Sequence, residues 1–241
     1  MLYSRVFYSV HRNELPKIKT LNIGAVNTQI KINLLNNFPL FEDLSIKDLS
    51  MVAEKIERKE INKYQYIYNS GDLTDSIYFL DKGTVKIGTH SDEGKEVIKA
   101  ILHPKAMFGE TSLIGEEMRK DFAKSMDASA IYYILKVDDF KEIIKNNSLL
   151  CMKVISMLGK RLKNTERRLE SMILKDALAR IIDFLKDNAK NRGRQVGFEM
   201  LLKHSLTQQD IANFTGTSRQ TVTSVLNDLK KSNLIYFKRK S

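Results

Sequence analysis

The sequence predicts an α+β fold in which a strand-rich region is followed by helices, and three observations support this prediction. Within residues 60–135, short apolar runs alternate with turns that contain Gly or Asp. Within residues 148–173, apolar residues recur at helical spacing among many charges. Within residues 206–226, two short helical patterns are separated by one glycine. A chain of 241 residues is long enough for two ordinary domains, each with its own core.

The N-terminal residues 1–36 show no clear period, and we expect an irregular extension to which the sequence assigns no role. A helix is predicted a few residues after Pro39, because Ser45 and Asp48 have the spacing of a helix N-cap pair. Its apolar residues fall on one face, as expected for a helix that packs on a core: Leu49, Val52, Ala53 and Ile56.

Short strands are predicted through residues 60–135. Tyr64, Tyr66 and Tyr68 alternate with other residues, as in a strand with one buried face. Four further strand patterns follow, separated by Gly and Asp turns: residues 77–80, 84–87, 97–101 and 130–135. Many short strands at nearly regular spacing indicate a small antiparallel barrel or sandwich.

A long helix is predicted over residues 148–173, after a short helix that contains Phe140 and Ile143. Its apolar seam falls on the a and d positions of a heptad: Ile155, Leu158, Leu162, Thr165, Leu169 and Met172. A seam of two residues in seven favours a two-stranded coiled coil, and hence a homodimer. The alternative is a helix packed against its own β domain, which would need a wider apolar stripe.

A helix-turn-helix is predicted near the C-terminus, after a helix that begins at Asp176. Thr207 and Asp210 form a capping-box pair for its first helix, and Gly216 suits the sharp turn. Thr217 is predicted to cap the second helix, with Gln220 reaching back. The buried stripe of that helix is Val222, Val225, Leu226 and Leu229. An ordinary helical hairpin with a polar face is the alternative.

The polar residues of this motif are the candidates for DNA contact, because a recognition helix enters the major groove with its N-terminal end first. They are Thr207, Thr217, Ser218, Arg219, Gln220, Thr223 and Ser224. Residues 233–240 resemble the first strand of a basic wing, and no returning strand follows, so we expect the wing to be incomplete.

Composition restricts the class of protein further. The net charge is +11. Residues 175–241 contain 13 Lys/Arg against 6 Asp/Glu, so that +7 lies beside the helix-turn-helix, which favours a polyanionic partner. The single cysteine, Cys151, excludes an intramolecular disulfide and any all-cysteine metal site, and it favours a reducing, cytoplasmic compartment. No apolar run approaches the roughly 20 residues that cross a bilayer.

The order of these parts resembles that of the bacterial CRP/FNR family, the regulators related to the cyclic-AMP receptor protein and the fumarate–nitrate regulator. The matching stretches are Pro39-Leu40-Phe41, residues 71–86, Phe108-Gly109-Glu110 and residues 217–222. The resemblance implies a cyclic-nucleotide-binding-type β-roll (jelly-roll), a long dimerisation helix and a C-terminal winged helix-turn-helix. The implied boundaries are 1–36 for the extension, 37–147 for the β-roll, 148–174 for the dimerisation helix and 175–241 for the DNA-binding domain.

For DNA recognition, the resemblance implies that Arg219 pairs with guanine, because its fork matches guanine O6 and N7. Gln220 stands where the family has a glutamate, and glutamine suits adenine rather than cytosine. Ser224 stands where a second arginine is usual. We therefore expect a pseudo-palindromic operator that departs from the family consensus, with RNA polymerase as a further partner.

For ligand sensing, the resemblance implies a pocket that contains Gly109, Glu110, Thr111, Arg119, Lys120 and Thr165. Gly109 and Glu110 match the start of the family's phosphate-binding cassette. Counting from the glycine, however, Lys120 falls in the place of the phosphate-binding arginine, and Arg119 lies one residue early. A lysine lacks the bidentate fork, so cyclic AMP is not the expected effector.

The residues also restrict which other effectors the protein could bind and which other classes of protein it could belong to. A haem ligand could come from His11, His90, His103 or His204, or another small effector could bind, whereas no metal site and no catalytic residue is predicted. A cytoplasmic transcription regulator that acts as a homodimer and has no membrane contact is therefore the leading prediction. A β-roll module that signals through protein contacts is the alternative, and an enzyme has little support.

Overall fold

The computed structural model describes residues 28–238 and the backbone of Val6–Val10. The chain divides into two compact units. The first, here called the β-roll unit, contains Leu15–Thr89 and Ala100–Lys163. The second, called the DNA-binding unit, contains Met1–Glu14, His90–Lys99 and Asn164–Ser241. None of the described helices is long and apolar enough to cross a membrane.

The β-roll unit begins with two helices, α1 (Thr28–Leu35) and α2 (Ile46–Lys55). Ser45 caps α2 by accepting a hydrogen bond from the backbone N of Asp48 at 3.1 Å, which confirms the predicted N-cap pair. The interpretation of residues 1–36 as irregular was wrong for α1, because Ile32 and Leu35 are buried in the core. Only these two apolar residues of α1 are buried, a pattern too weak to show a helical period.

The strands of the roll are β2 (Glu57–Asn62), β3 (Tyr66–Tyr68), β4 (Ser76–Lys82), β5 (Val85–His90), β6 (Glu96–Leu102), β7 (Met107–Phe108), β8 (Phe122–Ser125) and β9 (Ser129–Lys136). They form two four-stranded sheets, ordered β2-β9-β4-β7 and β3-β8-β5-β6. The predicted fold class is thus confirmed. Tyr64 was predicted in a strand, but it lies in a turn with a φ of +65° between β2 and β3.

Two cores hold the β-roll unit together. One joins α1 and α2 to β4 and β9 and to the helix α3 (Val137–Asn146), with Phe41, Phe79 and Phe140 fully buried at its centre. The other lies inside the roll and is largely aromatic; it contains Tyr68, Tyr78, Phe108 and Tyr132. The long helix α4 (Ser148–Leu174) starts in this unit, where Leu150 and Val154 are buried.

The DNA-binding unit contains α5 (Ala177–Arg192), α6 (Gln208–Thr215) and α7 (Arg219–Lys231). Its strands are β10 (Arg194–Val196), β11 (Glu199–His204) and β12 (Ile235–Lys238), and β1 (Val6–Val10) pairs in parallel between β11 and β12. The helix α5 ends at Arg192, and β10 begins two residues later. Of the predicted wing, β12 is observed, and residues 239–241 lie outside the described part of the chain.

Candidate nucleic-acid interface and ligand pocket

The first helix of the helix-turn-helix, α6, is fixed by a complete capping box. The backbone N of Asp210 donates to the Thr207 hydroxyl at 3.1 Å, and the backbone N of Thr207 donates to the Asp210 carboxylate at 2.8 Å. The Thr207 hydroxyl also donates to this carboxylate at 2.6 Å. The predicted cap is confirmed, and the structure uses both hydrogen-bonding functions of this hydroxyl within α6.

The turn and the start of the recognition helix α7 follow directly. Gly216 adopts the left-handed conformation, with φ at 63°, as the sharp turn requires. Ser218, not Thr217, is the N-cap of α7, because its hydroxyl accepts a hydrogen bond from the backbone N of Thr221 at 3.0 Å. The predicted cap was therefore wrong by one residue. Two adjacent residues have capping hydroxyls here, and the turn after Gly216 decides which one reaches the helix.

The outer face of α7 presents polar side chains to solvent. Arg219, Gln220 and Ser224 are exposed, and Thr223 and Asn227 complete the same shallow groove. The Thr223 hydroxyl donates to the Gln208 side chain at 2.7 Å, so this threonine also joins the two helices of the motif. Asn227 was missed by the sequence reasoning, although its spacing of three residues from Ser224 and four from Thr223 was a usable signal.

A second cleft lies beside the N-terminus of α7. It is lined by Gln209 and Asn213 of α6, by residues 216–219, and by residues 94–96, which end the turn after β5 and begin β6. Asn213 donates to the Glu96 carboxylate at 3.0 Å. No pattern in the sequence indicates this contact, because more than a hundred residues separate Glu96 from Asn213.

The ligand pocket predicted in the β-roll unit is built around a short 3-10 helix, Glu110–Ile114, in which Thr111 is half-buried. Gly109 precedes it with a φ of 81°, and a Cβ atom there would meet the Tyr78 ring at 2.9 Å. The Glu110 carboxylate forms a salt bridge with Arg161 of α4, which also donates to the backbone O of Met107. Glu110 is therefore already paired with a cation of the same unit.

Arg119 and Lys120 have opposite surroundings. The Arg119 side chain is 2% exposed, and its guanidinium donates to the backbone O of Ser76 at 2.6 Å and to that of Gly109 at 3.3 Å. The same group lies 4.2 Å from the centre of the Tyr68 ring. Lys120 is exposed and pairs with Glu116 at 3.0 Å. The interior of the roll thus receives the arginine, not the lysine that the count from Gly109 indicated.

The remaining sensor candidates are scattered. Thr165 is exposed on the part of α4 that belongs to the DNA-binding unit. His11 lies outside the described residues, and His204 is buried near the start of α6. Burial, and after it the nearby Arg192 charge, lowers the pKa of His204 from 6.5 to about 4. Within residues 28–238, no three His, Cys, Asp or Glu side chains cluster as metal ligands.

The predicted dimer seam on α4 divides into two groups. Ile155, Leu162 and Leu169 are 55%, 60% and 61% exposed, so they form an apolar row that the described part of the chain leaves uncovered. Leu158 packs on the core of the β-roll unit instead, and Met172 lies against Gly216, with its Sδ 3.0 Å from the position of a Cβ there. Two of the six predicted a and d positions, Leu158 and Met172, therefore reflect packing within one chain, and Thr165 is exposed like the other three.

The two units match two known domain families. The family model of the cyclic nucleotide-binding domain matches residues 58–147, and that of the Crp-like helix-turn-helix domain matches residues 179–241. The CRP-like cAMP-activated global transcriptional regulator of Mycobacterium tuberculosis is 26% identical over 203 residues, which cover 84% of this chain and 90% of the relative. The global nitrogen regulator of a Nostoc species is 26% identical over 202 residues, covering 83% and 88%.

Among solved structures, the c-di-GMP responsive global regulator CLP of Xanthomonas campestris has the same fold. Its TM-score is 0.68 at 18% identity, over 81% of this chain and 96% of that chain. A β-roll followed by a long helix and an exposed recognition helix defines a class of protein, the DNA-binding transcription regulators. The chain belongs to the CRP/FNR family of bacterial transcription regulators. A module that signals only through protein contacts is set aside, because residues 179–241 match the DNA-binding domain of this family.

Proposed function

We propose that the protein binds a two-fold symmetric operator as a homodimer and that α7 of each subunit reads the major groove through Arg219 and Gln220. The observation that supports this most directly is the exposure of both side chains at the first turn of a helix that is capped and packed. The positive end of the helix dipole lies at the same place and favours DNA phosphates.

The base preferences follow from the side chains. Arg219 suits guanine through a bidentate pair, and Gln220 suits adenine N6 and N7. Ser224 and Asn227 are short, uncharged side chains further along the same face, so they can add a single hydrogen bond each. We therefore expect each half-site to contain one strong guanine contact followed by an adenine contact.

The dimer would form along the uncovered row of α4. Met152 and Ile173, which are 62% and 72% exposed, extend the row that Ile155, Leu162 and Leu169 form. Gly159 lies on the same helix, and a Cβ there would meet no atom within 4 Å, so a second helix could approach closely. An uncovered row this long is unusual for a monomer, and a parallel copy would bury it. Two-fold symmetry then requires half-sites about 10–10.5 base pairs apart.

We further propose that the effector of the β-roll, if one acts, is a small molecule other than a cyclic nucleotide. The Arg119 guanidinium already donates to two backbone carbonyls and lies against the Tyr68 ring, so only part of its fork is left for a cyclic phosphate. The negative charge of Asp121 contributes to raising the pKa of Tyr68, after the larger effect of burial, so an acidic group already faces this interior. Haem through His90, His103 or His204 remains an alternative to be tested by absorption spectroscopy.

A regulator of this kind acts in the bacterial cytoplasm, where it meets DNA and RNA polymerase. The test of the DNA-reading proposal begins with selection of an operator from random duplexes by the wild-type protein. Fluorescence anisotropy then compares Arg219→Glu with Lys186→Glu, a matched charge reversal at an exposed position on α5. We expect Arg219→Glu to lose at least about 100-fold in affinity, because it removes a base contact and adds repulsion to phosphates.

The control, Lys186→Glu, should lose only a few-fold in DNA affinity, because Lys186 is not among the residues that line the groove of α7. A separate selection with Gln220→Glu should exchange adenine for cytosine at one position of each half-site. Equal losses for the two charge reversals, or an unchanged operator for Gln220→Glu, would contradict this arrangement of the interface. Sedimentation velocity measures the dimer independently of DNA.

A further inference from the structure

The backbone carbonyls at the end of α6 are held by two arginines. The last carbonyls of a helix have no donor within the helix, so they need partners from elsewhere. Here the backbone O of Phe214 accepts from Arg168 at 2.5 Å, that of Thr215 from Arg180 at 2.9 Å, and that of Gly216 from Arg180 at 3.2 Å. Three successive carbonyls, the last of them two residues before the N-cap Ser218 of the recognition helix, are thus bound to guanidinium groups.

Arg168 makes further bonds that Arg180 lacks. Its guanidinium donates to the backbone O of Lys99 at 2.7 Å and to that of Ile98 at 2.6 Å, both on β6. It also lies 4.1 Å from the centre of the Phe214 ring. Burial lowers the pKa of Arg168, as expected for a charge removed from water. One side chain of α4 therefore binds β6 and α6 together.

Arg180 provides an internal comparison. Its third partner is the backbone O of Lys175, at 2.6 Å, close to it in the chain. Arg180 therefore connects the end of α6 only to the start of α5 and not to β6. Glu96, the first residue of β6, also accepts directly from Asn213 of α6 at 3.0 Å, so β6 is connected to α6 both through Arg168 and by a bond of its own.

We propose that Arg168 is a positioning residue for DNA recognition: it holds the end of α6, just before the turn to α7, in a fixed place relative to the C-terminal part of α4 and to Ile98 and Lys99 of the same unit. This inference rests on the proposed role of α7 as the reading helix. A planar fork can donate to three carbonyls and stack on a ring at once, which an ammonium group cannot do. Loss of the fork leaves three carbonyls without this donor and leaves the turn before α7 held by Arg180 alone of the two arginines.

The experiment compares Arg168→Gln, Arg168→Lys and Arg180→Gln in the full-length protein. Hydrogen exchange followed by mass spectrometry measures protection of two segments, residues 91–101 and residues 213–219. We expect Arg168→Gln to speed exchange at least about tenfold in both segments, whereas Arg180→Gln speeds it only in residues 213–219. Arg168→Lys should lie between wild type and Arg168→Gln, because a lysine restores the charge but not the fork.

DNA affinity gives a readout that a loss of folding alone would not produce. Anisotropy measures binding to the selected operator and to a scrambled duplex of equal length. We expect Arg168→Gln to weaken operator binding about tenfold or more and to leave scrambled binding and its salt dependence nearly unchanged. A contact of Arg168 with phosphate would lower both affinities together, and a misfolded protein would lose both.

The outcomes separate this inference from the proposed function. If the wild type binds no duplex specifically, the proposed reading role of α7 is wrong. The exchange experiment still tests whether Arg168 holds residues 91–101 and 213–219 together. Unchanged exchange in residues 91–101 for Arg168→Gln would overturn the inference, as would equal effects of the two Gln variants. If Arg168→Gln does not fold, Phe214→Leu, which removes the stacked ring and keeps the carbonyls, should show a smaller change of the same pattern.

Discussion

Acid should destabilise the DNA-binding unit through His204. This side chain is 8% exposed, and its Nδ1 accepts a hydrogen bond from the backbone N of Leu206 at 3.1 Å, which requires an unprotonated Nδ1. Burial is the main reason why the pKa falls from 6.5 to about 4, and the Arg192 charge is the second. The folded protein therefore holds the imidazole neutral over a range in which the unfolded chain binds a proton.

The sign and size of the stability change with pH follow from the difference between the pKa of His204 in the folded and in the unfolded state. Above pH 6.5 both states are neutral at this group and its contribution is complete; as the pH falls toward 4, the unfolded state alone gains a proton and stability is lost. The loss is about 2 kcal/mol between pH 7 and pH 5 and about 3 kcal/mol by pH 4, as an order of magnitude. Other groups titrate in this range as well, so the effect of His204 is measured as the difference in stability change between wild type and a variant without this histidine.

The assay is urea unfolding, followed by circular dichroism, of wild type and of His204→Asn at several pH values. The asparagine oxygen can accept the bond from Leu206 and cannot be protonated in this range. We expect the wild type to lose about 2 kcal/mol more than the variant on going from pH 7 to pH 5. NMR titration of the histidine resonances checks the cause directly. Parallel losses in both proteins, or a His204 resonance that titrates near pH 6.5, would refute the reasoning.

Three further predictions concern the helices. Gly216→Ala should cost about 1–2 kcal/mol of unfolding free energy in a urea titration, because its φ is positive. Gly197 also has a positive φ, of 61°, but a Cβ there would meet no atom within 4 Å. Gly197→Ala therefore tests whether the contact of residue 216 with Met172 adds to the cost. Leu162→Lys should convert the dimer to a monomer in sedimentation velocity without loss of stability, whereas Leu158→Ala should lower stability by about 2–3 kcal/mol and keep the dimer. Thr207→Ala should lower the thermal stability of the DNA-binding unit by about 1 kcal/mol, measured by calorimetry.

Features that depend on neighbours in the chain were predictable. The caps formed by Ser45 and by Thr207 with Asp210 need only residues three positions apart, and the turn at Gly216 needs only the one residue without a Cβ. Where two adjacent residues could serve, as with Thr217 and Ser218, the sequence did not separate them. The register of Arg119 was ambiguous for a similar reason, because it depends on how many residues the loop after Gly109 uses.

The sequence by itself determined the order of the parts, the caps of α2 and α6, and the polar residues on the reading face of α7. These features follow from the periodicity of apolar residues and from capping residues at fixed short spacings. Both are properties of the residue order and do not depend on distant parts of the chain. Tertiary structure alone decided that Arg119 enters the aromatic interior and that Leu158 and Met172 turn away from the predicted seam. It also decided that Arg168 meets carbonyls 70 and 46 positions distant. A backbone carbonyl is the same in every residue, so no pattern in the sequence identifies the ones that a distant arginine will bind.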